Sequence, residues 1–376
     1  MSGSVIGNIF TVSTWGESHG KALGVVVDGC PAGLALSEND IQKMLDRRKP
    51  GQSRFTTARK EGDEVQILSG VFEGMTTGTP ISMLVWNKDQ RSNDYGQIAY
   101  SYRPGHADFT FDQKYGFRDY RGGGRSSGRE TIGRVAAGAI AMKILEELGI
   151  EIYAYAKSIG PVEIDYSRFD KNEITNNNVG MPDAKAAADA EEFLQKKIRE
   201  LDSAGGVIEC VIKNMPIGVG NTVFDKLDAN LAKAIMSIGA VKGFEIGDGF
   251  AAAKSSGSIN NDEFYIDGNG RAAKKTNHAG GILGGMSDGA DIIFRAAVKP
   301  TPSISKEQKT ITKDGEEISM VIHGRHDPII VPRAIVVVES MAALTIVDLL
   351  FSGMSSRMDS VKQIYRKQVQ NETEAE

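Results

Sequence analysis

The order of apolar and polar positions along the chain predicts many short strands. Apolar runs rich in β-branched residues and bounded by glycine or polar residues fall at 5–14, 23–28, 65–72, 81–86, 151–156, 207–213, 291–298 and 318–322. The pair Asp314 and Gly315 adds a hairpin signal, because Asp-Gly suits the tight turn between two antiparallel strands. The pattern therefore indicates a chain rich in antiparallel β-structure.

A second set of segments repeats apolar residues at spacings of three and four, which predicts helices. These segments are 38–48, 129–148, 184–201, 224–238 and 333–350. Strands outnumber them and do not alternate regularly with them, which argues against a doubly wound parallel sheet. We predict an α+β fold, a layered sandwich of antiparallel sheets and helices. It forms a single compact domain over 1–356, with a surface loop at 170–183 and a polar C-terminal tail at 357–376.

The composition is that of an ordinary soluble protein. Of 376 residues, 40% are hydrophobic and 25% are charged, and the formal net charge is -5. An acidic balance argues against a general nucleic-acid binder, and two distant cysteines predict no disulfide framework. The apolar stretch 334–351 contains Glu339, Ser340 and Asp348, which are costly in lipid, so we predict a buried helix and no membrane span. Without a secretion signal at the start, we expect a cytoplasmic protein.

The segment RDYRGGGRSSGRET, residues 118–131, predicts an anion site at the start of a helix. Its glycines permit close approach, Ser126 and Ser127 add hydroxyl donors, and a helix start carries a partial positive charge. Ser127 and Glu130 have the spacing of a capping box, which predicts that the helix begins here. The alternative is an ordinary capped helix whose arginines are solvated or paired with Asp119 and Glu130. The basic residues of this region are Arg103, Arg118, Arg121, Arg125, Arg129 and Arg134.

A second basic cluster follows the first predicted helix. Cations at the C-terminal end of a helix also stabilise its dipole, so stability is the alternative role for them. Two such clusters in an acidic chain favour a ligand with several negative groups, bound by bidentate guanidinium groups. The cluster contains Arg47, Arg48, Lys49, Arg54, Arg59 and Lys60.

Two of the five histidines are candidates for proton transfer. His19 in WGESHGK and His106 in RPGHADF lie in glycine-containing loops beside charged residues, where an imidazole can meet an anionic substrate. The motif HGRHDP offers His323, His326 and Asp327 as metal ligands. The sequence shows no further ligand clustered with them, so we predict no metal site.

Two other functions stay open on these patterns alone. GESHG fits the G-x-S-x-G motif of a serine hydrolase, with Ser18 as nucleophile, although it comes early and a strand is predicted after it. A binding module for an anionic metabolite would need the arginines but not two loop histidines. Turnover of a phosphorylated cyclohexene would separate an enzyme from such a module.

Seven motifs in the same order resemble the chorismate synthase family. They are GESHG, DRRKPGQSR, RPGHAD, DYRGGGRSSGRET, NHAGGILGG, KPTPSI and GRHDP, and they span residues 16 to 328. The resemblance implies that family's fold and a carbon–oxygen lyase acting on phosphates. Its reaction is the anti 1,4-elimination of phosphate from 5-enolpyruvylshikimate 3-phosphate to chorismate, the last step of the shikimate pathway. It also implies reduced FMN without net redox change, and a homotetramer.

The resemblance implies roles for particular residues. His19 protonates the leaving phosphate, His106 protonates or polarises the reduced flavin, and Asp327 helps flavin N5 accept the ring proton. Binding of the substrate, or of NADP, is implied for Arg48, Arg54, Arg103, Arg129 and Arg325. Flavin binding is implied for Arg125, Ser126, Ser127, Gly239, Ala240, Gly284, Lys299, Pro300, Thr301, Pro302, Ser303 and Arg325.

The chain departs from the family pattern at three places, one of which is GGMSDG, which varies after the paired glycines. Gly239 stands where the family has asparagine, and Gly128 stands where it has alanine. The chain shows no dinucleotide fingerprint, so we expect a separate flavin reductase, with NADPH only an indirect reductant.

Overall fold

The structure, a computed structural model, describes residues 3–51, 55, 61–88, 96–322 and 327–373. The strands within these residues are β1 (Val5–Ile6), β2 (Thr11–Gly16), β3 (Ala22–Asp28), β4 (Val65–Ile67), β5 (Val71–Phe72), β6 (Met75–Thr76), β7 (Ile81–Trp86), β8 (Glu151–Ile159), β9 (Val162–Glu163), β10 (Gly206–Lys213), β11 (Val241–Ile246), β12 (Phe264–Ile266), β13 (Ala272–Lys274), β14 (Ile282–Leu283), β15 (Met286–Ser287), β16 (Ile292–Val298), β17 (Glu307–Ile311) and β18 (Glu317–Val321).

The α-helices of the described residues are of very different lengths. They are α1 (Glu38–Arg48), α2 (Gly96–Tyr100), α3 (Asp108–Tyr115), α4 (Thr131–Glu147), α5 (Glu173–Asn176), α6 (Ala184–Arg199), α7 (Leu227–Met236), α8 (Gly257–Asn260), α9 (Val331–Ser352) and α10 (Met358–Thr373).

Two five-stranded antiparallel sheets form the outer layers of the molecule. The first has the strand order β1-β2-β3-β7-β4, and the second has the order β11-β16-β10-β8-β9. Every pair of neighbouring strands in both sheets is antiparallel. The predicted hairpin at Asp314 and Gly315 is present as β17 paired with β18.

Helices α4 and α9 lie between the two sheets and form the centre of the core. Helix α4 packs on β3, α9 packs on β8 and β10, and the two helices pack on each other. A Cβ added to Gly138 of α4 would lie 2.3 Å from the Ser340 Cβ of α9, so glycine allows the helices to approach closely. Both helices are apolar around their circumference because each is covered on every side.

Helix α9 is long and apolar enough to cross a membrane, with a mean hydropathy of 2.2, but 83% of its apolar window is buried inside the protein. Its polar residues have partners there. Asp348 Oδ1 accepts bonds from the backbone N–H groups of Asn8, Ile9 and Phe10 at 2.7–3.0 Å. Glu339 accepts two bonds from the Arg47 guanidinium, at 2.6 and 2.9 Å, and one from the Ala154 N–H. The prediction of a buried helix is confirmed.

The predicted α+β sandwich of antiparallel sheets and helices is confirmed, but several local predictions are wrong. The run 5–14 forms two strands with a turn between them, and 65–72 forms β4 and β5. The segment 170–183 is not wholly a surface loop, because residues 179–183 are buried and Asp183 caps α6. The polar tail carries the helix α10, although its separation as a unit stays a prediction.

Candidate active site

His19 lies in the five-residue loop that joins β2 to β3. Its ring packs against the Cα of Gly122, where an added Cβ would lie 2.5 Å from the imidazole Nδ1. Gly122 has a φ of +87°, a conformation that favours glycine. Ser18 Oγ lies 3.2 Å from the same Nδ1. The arginine-glycine stretch and the first predicted catalytic loop are therefore in direct contact.

Ser18 does not have the setting of a hydrolase nucleophile. It stands between two antiparallel strands, β2 and β3, and not at a turn from a strand into a helix. A nucleophile elbow depends on that strand-to-helix turn to expose its hydroxyl. The geometry therefore does not support the serine-hydrolase alternative.

His106 is joined to His19 through Arg103. The His106 backbone N–H donates to the Arg103 carbonyl at 3.2 Å. The Arg103 Nη2 donates to the carbonyl of Gly122 at 3.1 Å, and Gly122 is the residue that His19 contacts. Two hydrogen bonds and the packing contact between His19 and Gly122 thus link the two predicted proton-transfer residues, which are 87 positions apart in the chain.

Arg103 is held by a buried carboxylate. Asp108 accepts from its Nε and Nη2, each at 2.7 Å, and from its backbone N–H. Burial raises the pKa of Asp108, but the bonds from Arg103 and the charge of Arg118 outweigh it, so the pKa lies below its ordinary value. Asp108 is therefore ionised at neutral pH and fixes the guanidinium.

The segment from Lys299 to Ser303 packs against the His106 loop. The Ser303 hydroxyl lies 2.7 Å from the His106 Nε2, and Lys299 Nζ donates to the Gly105 carbonyl at 2.8 Å. A Cβ on Gly105 would lie 2.8 Å from the Pro302 side chain. These contacts unite two motifs that the sequence separates by nearly 200 residues.

Some of the other residues predicted to bind flavin lie next to the segment from Lys299 to Ser303, and one lies elsewhere. The Lys299 N–H donates to the Ala240 carbonyl at 2.9 Å, which brings Gly239 and Ala240 beside it. Gly284 lies elsewhere, in the turn between β14 and β15 next to the start of α7.

Arg48 and Arg129 share the buried carboxylate of Asp63. Arg48 Nη2 lies 2.7 Å from Asp63 Oδ2, and Arg129 Nη1 lies 3.0 Å from Oδ1. Glu61 forms a further ion pair with Arg129. Burial lowers the pKa of Arg48 to about 10, with Asp63 opposing the decrease and nearby guanidiniums adding to it. Arg48 is still protonated at neutral pH.

Asp327 joins the same network through Arg333. Arg333 Nη1 donates to Asp327 Oδ2 at 2.7 Å, and its Nε donates to the backbone carbonyl of Arg48 at 2.9 Å. Arg129 Nη2 donates to Asn87 Oδ1 at 2.7 Å, and Asn87 bonds to the His19 loop. The structure therefore brings His19, His106 and Asp327 into one continuous network with Arg48, Arg103 and Arg129.

The helix start differs from the predicted capping box. Ser127 caps a single 3-10 turn, Gly128–Glu130, by accepting from the Arg129 N–H, and α4 begins only at Thr131. The carboxylate of Glu130 binds Arg134 at 2.9 Å, because an i,i+4 guanidinium is within its reach.

Several arginines of this region bind groups of the protein itself. Arg118 pairs with Asp108 and Asp112, Arg121 pairs with Asp119, and Arg134 pairs with Glu130, as the alternative interpretation expected. Arg125 is turned onto β2, where it donates to Gly16 O and Thr14 Oγ1 at 3.1 and 2.7 Å. The number of arginines alone therefore overstates the charge available to a ligand.

Two predicted site residues, Arg54 and Arg325, lie outside the described residues, as do His323 and His326, the histidines of the rejected metal site. Asp327, beside two of them, is described and bonds to Arg333 as above. Among the described residues no group of three histidine, cysteine, aspartate or glutamate side chains is arranged to hold a metal ion.

Two cavities lie away from this network. One of about 330 Å³ is lined by β1, β2, α7 and the end of α9, including Lys233 and Asp348. Another of about 470 Å³ is lined by apolar residues around Pro31, Leu148 and Phe351. Neither is lined by a predicted site residue, so cavity size does not identify the site here.

Sequence reasoning missed four residues that organise the site: Asp63, Asn87, Asp108 and Arg333. Asp108 stood within the motif RPGHAD, so its place beside His106 was a usable signal. The other three carry no local pattern, and only the fold brings them to the arginines.

Comparisons with known proteins show which family the chain resembles. The chorismate synthase family matches residues 10–351. A chorismate synthase of Lachnospira eligens is 69% identical over 98% of this chain and all of that protein, and one of Lachnoclostridium phytofermentans is 67% identical over the same shares. A crystal structure of a chorismate synthase aligns with a TM-score of 0.75 at 31% identity, covering 97% of this chain and 99% of the other.

Fold, site and relatives together define an enzyme of the lyase class, one that breaks carbon–oxygen bonds to phosphate. The chain belongs to the chorismate synthase family. The family acts on a small-molecule substrate at the last step of the shikimate pathway.

Proposed function

We propose that the protein catalyses the anti 1,4-elimination of phosphate from 5-enolpyruvylshikimate 3-phosphate to give chorismate, with His19, His106 and Asp327 as its proton-handling groups. The observation that carries this proposal is the set of hydrogen bonds and one packing contact that bring the His19 loop, the His106 loop and the Asp327 side chain together with buried arginines. A binding module would need the arginines but would have no use for two imidazoles held on the same path.

The charge of the substrate fits the arginines. It bears a phosphate and two carboxylates, and we assign them to Arg48, Arg103 and Arg129, with Arg54 and Arg325 proposed from the family resemblance. The Nε atoms of Arg48 and Arg129 are buried and have no hydrogen-bond partner among the described residues. An unpaired buried donor is costly, so an anion that accepts from it is favoured.

His19 is proposed to assist departure of the phosphate. When the allylic carbon–oxygen bond breaks, its electron pair leaves with the phosphate oxygen, and a protonated imidazole can donate a proton to that oxygen. The contact between His19 and Gly122 supports this role, because it places the imidazole against the arginine-glycine stretch. Asp327 is proposed to assist removal of the ring proton, held in position by Arg333.

The residues present fit the flavin that the family implies. In the segment from Lys299 to Ser303, Thr301 Oγ1 is buried without a partner among the described residues, so it is able to bond to a ligand. A Cβ at Gly124, Gly128 or Gly239 would meet nothing within 4 Å, so the backbone there is open to a ligand. When bound, reduced FMN would supply an electron-rich ring that assists the elimination without net redox change.

His106 and a further set of residues are proposed to act on the flavin. His106 is proposed to hold a proton near the flavin, because its Nε2 lies beside Ser303. The other residues proposed to hold the flavin are Arg125, Ser126, Ser127, Gly239, Ala240, Gly284, Lys299, Pro300, Thr301, Pro302 and Arg325.

The protein is further proposed to be a cytoplasmic homotetramer supplied with reduced FMN by a separate reductase, with NADPH only an indirect reductant. Exposed apolar side chains support an assembly of copies, for example Ile217, Val223 and Phe224, the last 90% exposed. Light scattering coupled to size exclusion would test the tetramer.

An anaerobic assay tests the reaction and the electron source together. The purified chain is mixed with 5-enolpyruvylshikimate 3-phosphate and either chemically reduced FMN or NADPH with oxidised FMN. We expect chorismate and phosphate in equal amounts with reduced FMN, without net flavin oxidation, and no turnover with NADPH and oxidised FMN. Absence of chorismate with reduced FMN would reject the proposed function. Turnover with NADPH and oxidised FMN would show that the chain reduces its own flavin.

A further inference from the structure

Asn87 connects the loop that carries His19 to the guanidinium of Arg129. It directly follows β7, and its backbone N–H donates to the Lys21 carbonyl at 3.0 Å, which extends the β3–β7 ladder by one step. Its side chain then reaches the loop that carries His19 on one side and the Arg129 guanidinium on the other.

Both hydrogens of the Asn87 side-chain NH2 group bind the His19 loop. Its Nδ2 donates to the Glu17 carbonyl at 3.0 Å and to the Gly20 carbonyl at 2.8 Å. These carbonyls stand on either side of Ser18 and His19, and Glu17 also accepts the Gly20 N–H at 3.1 Å. Both amide hydrogens therefore hold the loop ends on either side of the imidazole.

The carbonyl end of the same amide holds an arginine. Asn87 Oδ1 accepts from Arg129 Nη2 at 2.7 Å, while Asp63 and Glu61 bind the Nη1 of that guanidinium. A neutral acceptor orients Nη2 and adds no negative charge to that of the two carboxylates already bound to Arg129. An aspartate here could not do both tasks, because it has no N–H to donate to two carbonyls.

We propose that Asn87 is a positioning residue that sets the His19 loop relative to Arg129, and so aligns the proposed proton donor with the proposed anion-binding guanidinium. This inference rests on the proposed function for its effect on turnover. The alignment matters because a displacement of about 1 Å at a catalytic group can lower a rate about a hundredfold.

The first test is a double-mutant cycle with His19, using Lys88→Ala as the control. Lys88 is the next residue and forms an exposed pair with Glu64. We expect Asn87→Ala to lower kcat at least about tenfold in the wild-type background and less than about threefold in the His19→Ala background, because its effect passes through that imidazole. Lys88→Ala should leave kcat unchanged. Equal losses in both backgrounds, or no loss in wild type, would overturn the proposal.

The second test does not depend on turnover. The His19 imidazole signal in the NMR spectrum, assigned by its disappearance in His19→Ala, should shift in Asn87→Ala and stay in place in Lys88→Ala. Affinity for inorganic phosphate, measured by calorimetry, should fall at least about threefold in Asn87→Ala because the Arg129 Nη2 loses the acceptor that orients it. If both quantities are unchanged, Asn87 does not position the site.

An isosteric variant covers the case in which Asn87→Ala does not fold. Asn87→Asp keeps the shape and the acceptor for Arg129 but replaces both amide donors, so the His19 signal should still shift and kcat should still fall. A wild-type His19 signal in this variant would contradict the proposal. If the wild-type chain makes no chorismate, the proposed reaction fails, yet the NMR and phosphate measurements still decide the role of Asn87.

Discussion

The imidazole Nε2 of His106 and the hydroxyl of Ser303 lie 2.7 Å apart, although 197 positions separate the two residues in the chain. Ser303 is buried, and the bond from Lys299 Nζ to the Gly105 carbonyl fixes one loop against the other. A hydrogen bond to one ring nitrogen of a histidine determines which tautomer it adopts. The segment KPTPS therefore acts on His106 as well as providing a proposed flavin contact.

Ser303→Ala should lower turnover about two- to tenfold, which corresponds to the loss of one hydrogen bond worth about 0.5–1.5 kcal/mol. The measurement is kcat with chemically reduced FMN under anaerobic conditions. Ser305→Ala, a serine-to-alanine change two residues along the same segment, serves as the control. Wild-type kcat in Ser303→Ala would show that this hydroxyl does not assist His106.

His19→Ala and His106→Ala should each lower turnover by about two to four powers of ten, the range for loss of a general acid or base. Neither residue has the core position of a structural side chain, so each variant should fold with an unchanged thermal midpoint. The assay compares kcat at saturating substrate. Rates near wild type in both variants would refute their assigned roles.

Arg48→Ala should weaken both substrate binding and folding. The sequence suggests mainly a binding role, but in the structure this side chain is buried against Asp63, and removing it leaves a buried carboxylate with one fewer partner. Breaking a buried ion pair in this way costs about 3–5 kcal/mol. Urea unfolding and KM should both change, whereas the partly exposed Lys49→Ala should change neither. An unchanged free energy of unfolding in Arg48→Ala would contradict the predicted contribution of Arg48 to folding stability.

Two glycine-to-alanine changes in and beside α4 should have opposite effects on stability. A Cβ at Gly128 meets nothing within 4 Å, so Gly128→Ala should raise the free energy of unfolding by about 0.4–1 kcal/mol through the unfolded chain. A Cβ at Gly138 would meet Ser340 Cβ at 2.3 Å, so Gly138→Ala should lower it by about 1–3 kcal/mol. Chemical denaturation measures both, and stabilisation by Gly138→Ala would contradict the close packing of α4 on α9.

Asp183 should make folding stability sensitive to acid. Its bonds from Arg168, together with backbone N–H groups at the start of α6, hold its pKa below the ordinary value. The folded state then binds fewer protons than the unfolded state, whose aspartate pKa is about 3.9. The stabilisation is fully present above that pKa and is lost as the pH falls towards the lower pKa of the folded state.

The measurement compares wild type with Asp183→Asn. Their difference in unfolding free energy should be largest near pH 6 and should shrink towards pH 3. Asp189→Asn, on the exposed side of the same helix, gives the same change of charge as a control. A difference that is the same at pH 6 and pH 3 would refute the role of the ionised carboxylate.

Much of the fold was predictable because its signals are local. The two central helices are apolar on every side, and the strands have β-branched runs with glycine at their ends. The errors at 5–14 and 65–72 have a common cause, because each run contains a glycine with positive φ, Gly7 or Gly70, whose turn the prediction included within a single strand.

Motifs were enough to propose the site residues, but not to predict the contacts among them. The motifs gave His19, His106 and the arginines, and the structure places them on one path. The partners of the arginines depend on tertiary structure: Asp63 pairs with Arg129 from 66 positions away, and no periodicity or spacing marks it. For the same reason the sequence did not reveal that Arg125, a proposed flavin-binding residue, bonds to β2.

The three bonds from Asn8, Ile9 and Phe10 to Asp348 have a consequence for biosynthesis. The acceptor for these N–H groups is made 338 or more positions after them, so the opening segment emerges from the ribosome long before its partner exists. Nascent chains that stop short of α9 will keep their first strands unanchored and exposed to proteases. Docking of the turn between β1 and β2 onto α9 must therefore wait until Asp348 has been made, and truncation before Asp348 should leave that turn undocked.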